Sequence, residues 1–425
     1  MRLRVPYYYK DFKCIAGACK DSCCVGWEID IDGDTFAYYQ ELEGDFGDRL
    51  RSSMAKGEEN TFVLENGRCP FLNRQNLCDI CLELGEEALC QVCTEYPRFV
   101  TEYGDVTEKS LALSCEVVGK LVFGRKEPIY YEEFFQQDCF EETDMEEEEY
   151  ERAQEAQNVF GKEDEEAGES KFVSWIEKAR DLAIRLIQDR RDPIEERICR
   201  MLEFACDFQN TLVKEDVKGM NQALHMWESQ KTTEKKESSR GGKNAREDTK
   251  AKERETAGND EAFALQAFLQ RIRFFEGMEV LDEEWERIRE QTEETIINAG
   301  GEGYAALHRS FMDSLRSQER EYEYEHLCVY FLFRYAMQTV YDSNFWGYAA
   351  ATAACFLMIR DMDMVRFFCQ EGKFSLEDRI DVARIFSKEA EHSEENMEYI
   401  LDGVYYEEFM TIDNLLRQIT GIRKA

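Results

Sequence analysis

Ten of the sixteen cysteines in this 425-residue chain lie between Cys14 and Cys115, and that crowding limits what the chain can be. They are Cys14, Cys19, Cys23, Cys24, Cys69, Cys78, Cys81, Cys90, Cys93 and Cys115. A free cysteine is ordinarily a small buried hydrophobe met singly in a core. Here the spacings are close: Cys19-x3-Cys23-Cys24, Cys78-x2-Cys81 and Cys90-x2-Cys93. Thiolates so spaced can converge on one soft ion. Three chemistries fit. One is a closed four-thiolate zinc site. A second is an iron–sulfur cluster held by four thiolates, or by three with an open iron. The third is a redox or disulfide site, for which Cys23-Cys24 is the vicinal pair. Ten cysteines exceed one four-ligand site, so either there are two sites or several thiols are packing residues. Spacing does not choose between zinc and iron, because both favour sulfur.

Compartment bears on that choice. The first thirty residues contain no apolar signal core and no small-residue cleavage site. The longest apolar run, Phe345 to Ile359, is about fifteen residues, short of the twenty or so a spanning helix needs. A soluble cytoplasmic protein with no membrane segment is expected, where thiols stay reduced and clustered cysteines serve as metal ligands. The net charge of −37 repels nucleic acid and anionic lipid and attracts basic partners. No nucleic-acid partner is expected.

The order of elements suggests a mainly α protein. A small cysteine-rich α+β metal-binding domain spans residues 1–140, an acidic linker 141–170, and a helical domain 171–425 with a disordered insertion at 229–259. Trp27 to Asp32 alternates apolar and acidic residues, the pattern of a half-buried strand closed by Gly33. Thr61–Leu64 is a second strand candidate, Leu84–Cys90 a short helix, and Val100–Val106 with Lys109–Ser114 a further strand pair. The stretch from Glu141 to Glu169 holds fourteen acidic and two basic residues, a self-repelling linker composition. Between Ser229 and Asn259 the only apolar residues are three alanines.

Helical stripes begin at Phe172, Trp175, Ile176 and Ala179, and again at Ile198, Met201, Leu202 and Ala205. Asp192-Pro193 starts the second helix. Further helices are predicted over Phe263–Phe275, from an Asp282 cap through Arg289, and over Phe409–Ile419. Glu325–Tyr341 and Asn344–Arg360 are apolar all round and should be buried. Ser375 with Asp378 forms a capping box, and Ser393 caps another helix.

There is no glycine-rich dinucleotide or phosphate loop, no Gly-x-Ser-x-Gly elbow and no His-Glu-x-x-His. Cys14-x4-Cys19-x3-Cys23-Cys24 is not the three-cysteine loop of radical S-adenosylmethionine enzymes. His225, His308, His326 and His392 stand alone in the sequence and suggest surface or core roles.

Several boxes, in order, resemble the flagellin lysine-N-methylase (FliB) family. They are Pro6-Tyr7-Tyr8, Phe12-Lys13-Cys14, Cys19-x3-Cys23-Cys24-x-Gly26-Trp27, Cys69-Pro70-Phe71-Leu72, Leu77-Cys78, Leu84-Gly85-Glu86, Cys93-x2-Tyr96-Pro97-Arg98 and Leu113-Ser114-Cys115. The Cys–Cys pair, the Cys-Pro-Phe-Leu box and the Cys…Pro-Arg box also resemble small zinc- or iron-chelating domains. The resemblance implies a cytoplasmic methyltransferase that moves a methyl group from S-adenosylmethionine to flagellin lysines, aided by a [4Fe-4S] cluster, with zinc as the alternative metal. It implies ligands among Cys14, Cys19, Cys23, Cys24, Cys69, Cys78, Cys93 and Cys115. Cys81 and Cys90 match no box.

Methylating a lysine requires removing the amine's proton and aligning amine, methyl and sulfonium. Proton acceptors near the cysteines in sequence are Tyr7, Tyr8, Tyr9, Glu28, Asp30, Glu95 and Tyr96, while Trp27 and Arg98 suit packing and carbonyl or thiolate capping. The other functional classes that fit are a non-enzymatic zinc- or iron-binding interaction module and an iron–sulfur redox protein.

Overall fold

The structure, a computed structural model, describes residues 2–26, 29–55, 60–135, 163–214, 216–229 and 246–424. It is mainly helical, with a small sheet near the N-terminus. The N-terminal elements are β1 (Arg2–Pro6), α1 (Gly33–Glu41), α2 (Asp45–Ser53), α3 (Asp79–Leu84), α4 (Gln91–Glu95), β2 (Arg98–Tyr103), β3 (Val106–Leu111), α5 (Glu116–Phe123) and β4 (Tyr131–Phe135). The helical body follows as α6 (Glu163–Ile187), α7 (Ile194–Leu212), α8 (Val217–Ser229), α9 (Arg246–Glu276), α10 (Glu283–Ser317), α11 (Tyr322–Tyr335), α12 (Thr339–Asp342), α13 (Phe345–Cys369), α14 (Leu376–Glu391), α15 (Glu394–Tyr406) and α16 (Ile412–Lys424).

The sheet order is β2-β3-β1-β4, with β1 parallel to β3 and antiparallel to β4. The predicted strand pair is present but sits about two residues earlier, as the antiparallel β2–β3 hairpin. β1 and β4 carry no local strand signature. β1 is placed by distant charges: buried Arg4 reaches Glu177 at 3.4 Å and Asp181 at 3.0 Å on α6. Arg180, also on α6, forks onto Glu108 of β3 with two 2.6 Å bonds. The main core accordingly runs from Tyr7 to Ile419 and takes in the sheet and the helices together.

A second, smaller core has eleven buried members, Ile29, Ile31, Tyr39, Leu50, Met54, Phe62, Cys69, Phe71, Ile80, Ala88 and Cys90. Regular structure is sparse around it. The strand expected at Trp27–Asp32 is not formed over its described part: Asp30 makes a single bridge to Thr61, and Gly33 starts α1 instead of closing a turn. The Asp32 carboxylate wins there by accepting the Thr35 N–H at 2.9 Å as helix cap. Thr61–Leu64 likewise contributes bridges only. The helix expected over Leu84–Cys90 is a 3-10 turn, Glu86–Ala88, because Gly85 (φ 96°) has already ended α3.

Three of the expected helical caps are present, whereas α7 opens one residue late, at Ile194, with Pro193 in the cap position and no capping side chain. Asp282 accepts from Glu284 N, Ser375 and Asp378 form the reciprocal box, and Ser393 accepts from Asn396 N. α13 is buried on nearly every side and forms the centre of the body. Its charged residues are paired within the core: Asp363 with Arg379, and Asp361 with Arg271 and Tyr304. α10 runs to Ser317, well past Arg289, with a kink at Gly300. Two charged stretches carry helix in part. The backbone is helical from Glu163, within the acidic linker, and from Arg246, within the expected insertion. Both stretches are rich in Glu, Lys, Arg and Ala, strong helix formers. Residues 136–162 and 230–245 lie outside the described residues.

Candidate metal centre

The thiol block is brought together by turns and close backbone approaches. After β1 the chain makes two 3-10 turns, and Ala16 N–H points at Cys14 Sγ, 3.3 Å away. A Cβ on Gly17 would stand 2.6 Å from the Gln75 carbonyl oxygen, so only glycine lets this loop touch the 73–77 turn. Lys20 N–H donates to Glu116 at 2.8 Å, which seats the loop on the start of α5 beside Cys115. The Ser22–Val25 turn carries Cys23 and Cys24, whose sulfurs are 4.0 Å apart. Cys69 N–H then donates to the Cys24 carbonyl at 2.8 Å.

The thiols fall into two sets. Cys19 is pushed up to about 12, first by burial and then by the charges of Glu116, Cys115 and Cys14. Cys23 is raised by its hydrogen bond to Cys24, by burial and by Cys24, Cys14 and Cys115. Cys14, Cys19, Cys23 and Cys115 therefore share one neighbourhood. Cys24, brought down to about 7 chiefly by the bond from Cys23, faces other partners. Cys69 is pushed up to about 12 by burial and feels Cys24, Cys78 and Cys90. Cys93 is raised by its bond with Cys90, by burial, and by Cys90, Cys24 and Cys69. Cys81 has Glu86 and Glu87 as its charged neighbours. The eight cysteines singled out by the sequence divide four and four. Among the described residues, no three such donors already converge on a common point at metal-bonding distance.

The first set faces the helical body. Asp21, two residues before Cys23, accepts from Arg384 at 2.6 Å and Lys388 at 2.9 Å, both on α14. Lys388, nearly buried, also reaches Asp282 at 2.8 Å. Ser114 hydroxyl stands 3.1 Å from the Tyr96 hydroxyl and 2.9 Å from His392 Nε2. Gly119 permits the close packing beneath: a Cβ there would meet Ile380 Cγ2 at 2.7 Å. Burial, followed by the Lys388 charge, lowers His392 to about 4, so its ring is uncharged at neutral pH. Burial raises Tyr96 well above its ordinary range, so Tyr96 keeps its proton.

Of the seven sequence-derived proton acceptors, Tyr96 stands beside this set. Tyr7 and Tyr8 are buried in the main core, and Tyr9 packs against it. Asp30 and Glu95 are exposed, Glu95 accepting from Gln91 at 2.8 Å. Glu28 and Trp27 lie outside the described residues, and Arg98 sits over the Phe12 ring at 5.1 Å. Asp21, Arg384 and Lys388 were missed from sequence, and His392 was given only a surface or core role. The last three come from the far end of the chain and carry no motif.

Residues 180–418, which make up most of the helical body, match the FliB lysine N-methylase C-terminal domain. The chain belongs to this family. It is 29% identical over 126 residues to a lysine-N-methylase of Salmonella typhimurium and to one of Salmonella choleraesuis. Each match covers 28% of this chain and 31% of the relative's length. The flagellar biosynthetic protein FliU of Salmonella muenchen is also 29% identical over 126 residues, covering 28% of this chain and 75% of that protein. No solved structure matches. The part of this family member that carries the family's C-terminal domain is thus the part on which the first thiol set is docked.

Proposed function

We propose that this chain is a protein lysine N-methyltransferase that carries a methyl group from S-adenosylmethionine to lysine side chains of flagellin in the cytoplasm. The family match over 180–418 carries the reading, and the names lysine-N-methylase and flagellar biosynthetic protein among its relatives support it.

Cys14, Cys19, Cys23 and Cys115 would hold the [4Fe-4S] cluster. They are a uniform soft donor set, two of them surface-exposed, crowded so that each thiolate disfavours the next unless a cation is shared. Bringing the sulfurs onto one point needs a change of side-chain rotamer in a loop already seated on α5. When bound, the cluster supplies a soft Lewis-acidic centre for the cosubstrate.

The protein's own groups do the rest. A lysine ammonium, with an ordinary pKa near 10.4, must lose a proton before it attacks. That proton would pass to water or to a carboxylate beside the first set, Asp21 or Glu116, while uncharged His392 holds Ser114 and, through it, Tyr96. The N–C bond then forms as the sulfonium S–C bond breaks, leaving a methylated ammonium and S-adenosylhomocysteine; the one proton released overall is the one lost before attack. The net charge of −37 favours encounter with lysine-bearing surfaces, and raising salt should slow association.

The test is anaerobic purification, iron and sulfide analysis, and incubation with S-adenosylmethionine and flagellin, read by mass spectrometry of flagellin peptides. Methyl-lysine that appears with the cluster-loaded protein and falls in Cys115→Ser supports the reading. Loaded protein that leaves flagellin unmethylated overturns it.

A further inference from the structure

We infer that the helical body holds a small monovalent anion of the chloride class near its centre, between Arg360 of α13 and the adjacent His308 and Arg309 of α10. This stands apart from methyl transfer, since it concerns how the body itself is held together.

Charge balance is the first argument. Arg271, Tyr304, His308, Arg360, Asp361 and Gln418 form a polar knot among α9, α10, α13 and α16, each at most 3% exposed. Asp361 accepts from Arg271 and from the Tyr304 hydroxyl at 2.8 Å, and its nearer contact with Arg360 Nη2 is 3.4 Å. Arg271 also donates to Gln418 Oε1 at 2.5 Å. Two buried guanidiniums thus share one carboxylate, and Arg271 takes the better part of it. The neighbouring knot does balance, with Arg379 and Arg320 set against Asp363 and Glu323. Arg180 and Arg197 likewise have carboxylates of their own, Glu108 at 2.6 Å and Glu325 at 2.7 Å. A buried cation without a counter-charge is costly. A bound anion would give Arg360 what the other core guanidiniums already have.

Open donors are the second argument. Arg360 Nε and Nη1, both ring nitrogens of His308, and Arg309 Nη1 are buried with no hydrogen-bond partner among the described residues. They belong to one neighbourhood. His308 lies one helical turn beyond Tyr304 on the same face of α10, and the Tyr304 hydroxyl is 3.4 Å from Arg360 Nη2. The charges that His308 feels are those of Arg360, Arg316 and Arg309, all positive. Arg316 is already engaged by Glu195 at 2.5 Å and Glu321 at 3.0 Å. Arg360, Arg309 and His308 are left as N–H donors around a positive spot, a setting that an anion fits.

Charge and burial set the class of ligand. The knot has one positive charge in excess, so a single negative charge closes the balance. Arg360 and His308 are nearly free of solvent contact, so a ligand between them must shed its water. The cost of that step climbs steeply with charge, which favours a halide over a sulfate or phosphate dianion. Arg360 and Arg309 would donate their open N–H groups, and neutral His308 one ring N–H. The anion would thereby tie α10 to α13 at the middle of the body.

The test uses the full chain as purified, at fixed pH and ionic strength, with sodium gluconate replaced stepwise by sodium chloride. Gluconate is too large for a closed site. The melting midpoint should rise by about 2 °C or more and level off as chloride saturates, with bromide acting in its place. Arg360→Met puts an apolar chain where the cation stood, and its midpoint should ignore chloride. Arg309→Gln leaves the core intact and should raise the half-effect chloride concentration several-fold, which keeps the test decisive even if Arg360→Met fails to fold. A wild-type midpoint equal in chloride and gluconate overturns the proposal, since water then serves these donors. So does a chloride response that Arg309→Gln leaves unchanged or that a folded Arg360→Met retains. No turnover is measured, so failure of methyl transfer and failure of the anion site are separate results.

Discussion

The helical body and the small thiol-lined core solve the problem of holding a chain together in different ways. Around α13 the body buries aromatic and aliphatic side chains by the dozen. It can accommodate full charges in that interior because each is met by an opposite charge, as Arg379 is by Asp363 and Glu323. The small core has eleven buried members, two of them cysteines, and no strand of its own among the described residues. Stability in the first comes from burial and from well-made ion pairs. The second leans on turns and close backbone approaches between its cysteine-bearing segments.

The largest expected effect separates the two directly. Native-state hydrogen exchange should open residues 29–93 well before 194–419, because the first region is held by a far smaller buried core than the second. Equal protection of the two regions would erase the contrast. Next, Arg379→Ala leaves Asp363 buried without its cation, while Glu323 keeps Arg320, and should cost about 3–5 kcal/mol. Chemical unfolding should report it from the helical body, with metal content unchanged.

A smaller effect is set by pH. His308 on α10 is fully buried, and burial together with Arg360, Arg316 and Arg309 lowers its pKa well below the usual value. The unfolded chain therefore takes up a proton that the folded one refuses. The resulting stability is complete above about pH 6.5 and falls by up to about 1.4 kcal/mol for each pH unit below it. His308→Leu should flatten that acid limb in thermal melts, and an unchanged limb would assign acid sensitivity elsewhere. Smallest is Ser375→Ala, which breaks the capping box of α14 and should cost about 1 kcal/mol, leaving metal content untouched.

Legibility follows the range of the forces involved. The caps at Asp282, Ser375 and Ser393 were readable because a cap is decided within four residues, and α13 because an all-apolar helix can only be buried. β1 was invisible: its partners are a hundred residues away and its Arg4 is neutralised by α6. Gly33 was misread since the competing cap, Asp32, is the last residue of an alternating pattern that looked like a strand. The candidate ligands were visible as residue types. Their division into sets was not, because nothing local shows that neighbours Cys23 and Cys24 face different companions. His392 and Lys388 meet Ser114 and Asp21, the neighbours of the first thiol set, only through the fold.

The contact between Asp21 and Arg384 joins positions 363 residues apart. On a ribosome adding about 5–20 residues per second, the thiol loop emerges on the order of 20 to 70 seconds before its dock exists. During that interval Cys14, Cys19 and Cys23 are open to oxidants. Asp21 must wait for almost the whole chain to be synthesised before it can lock the loop, so the shelter of these thiols is a matter of timing as well as of structure.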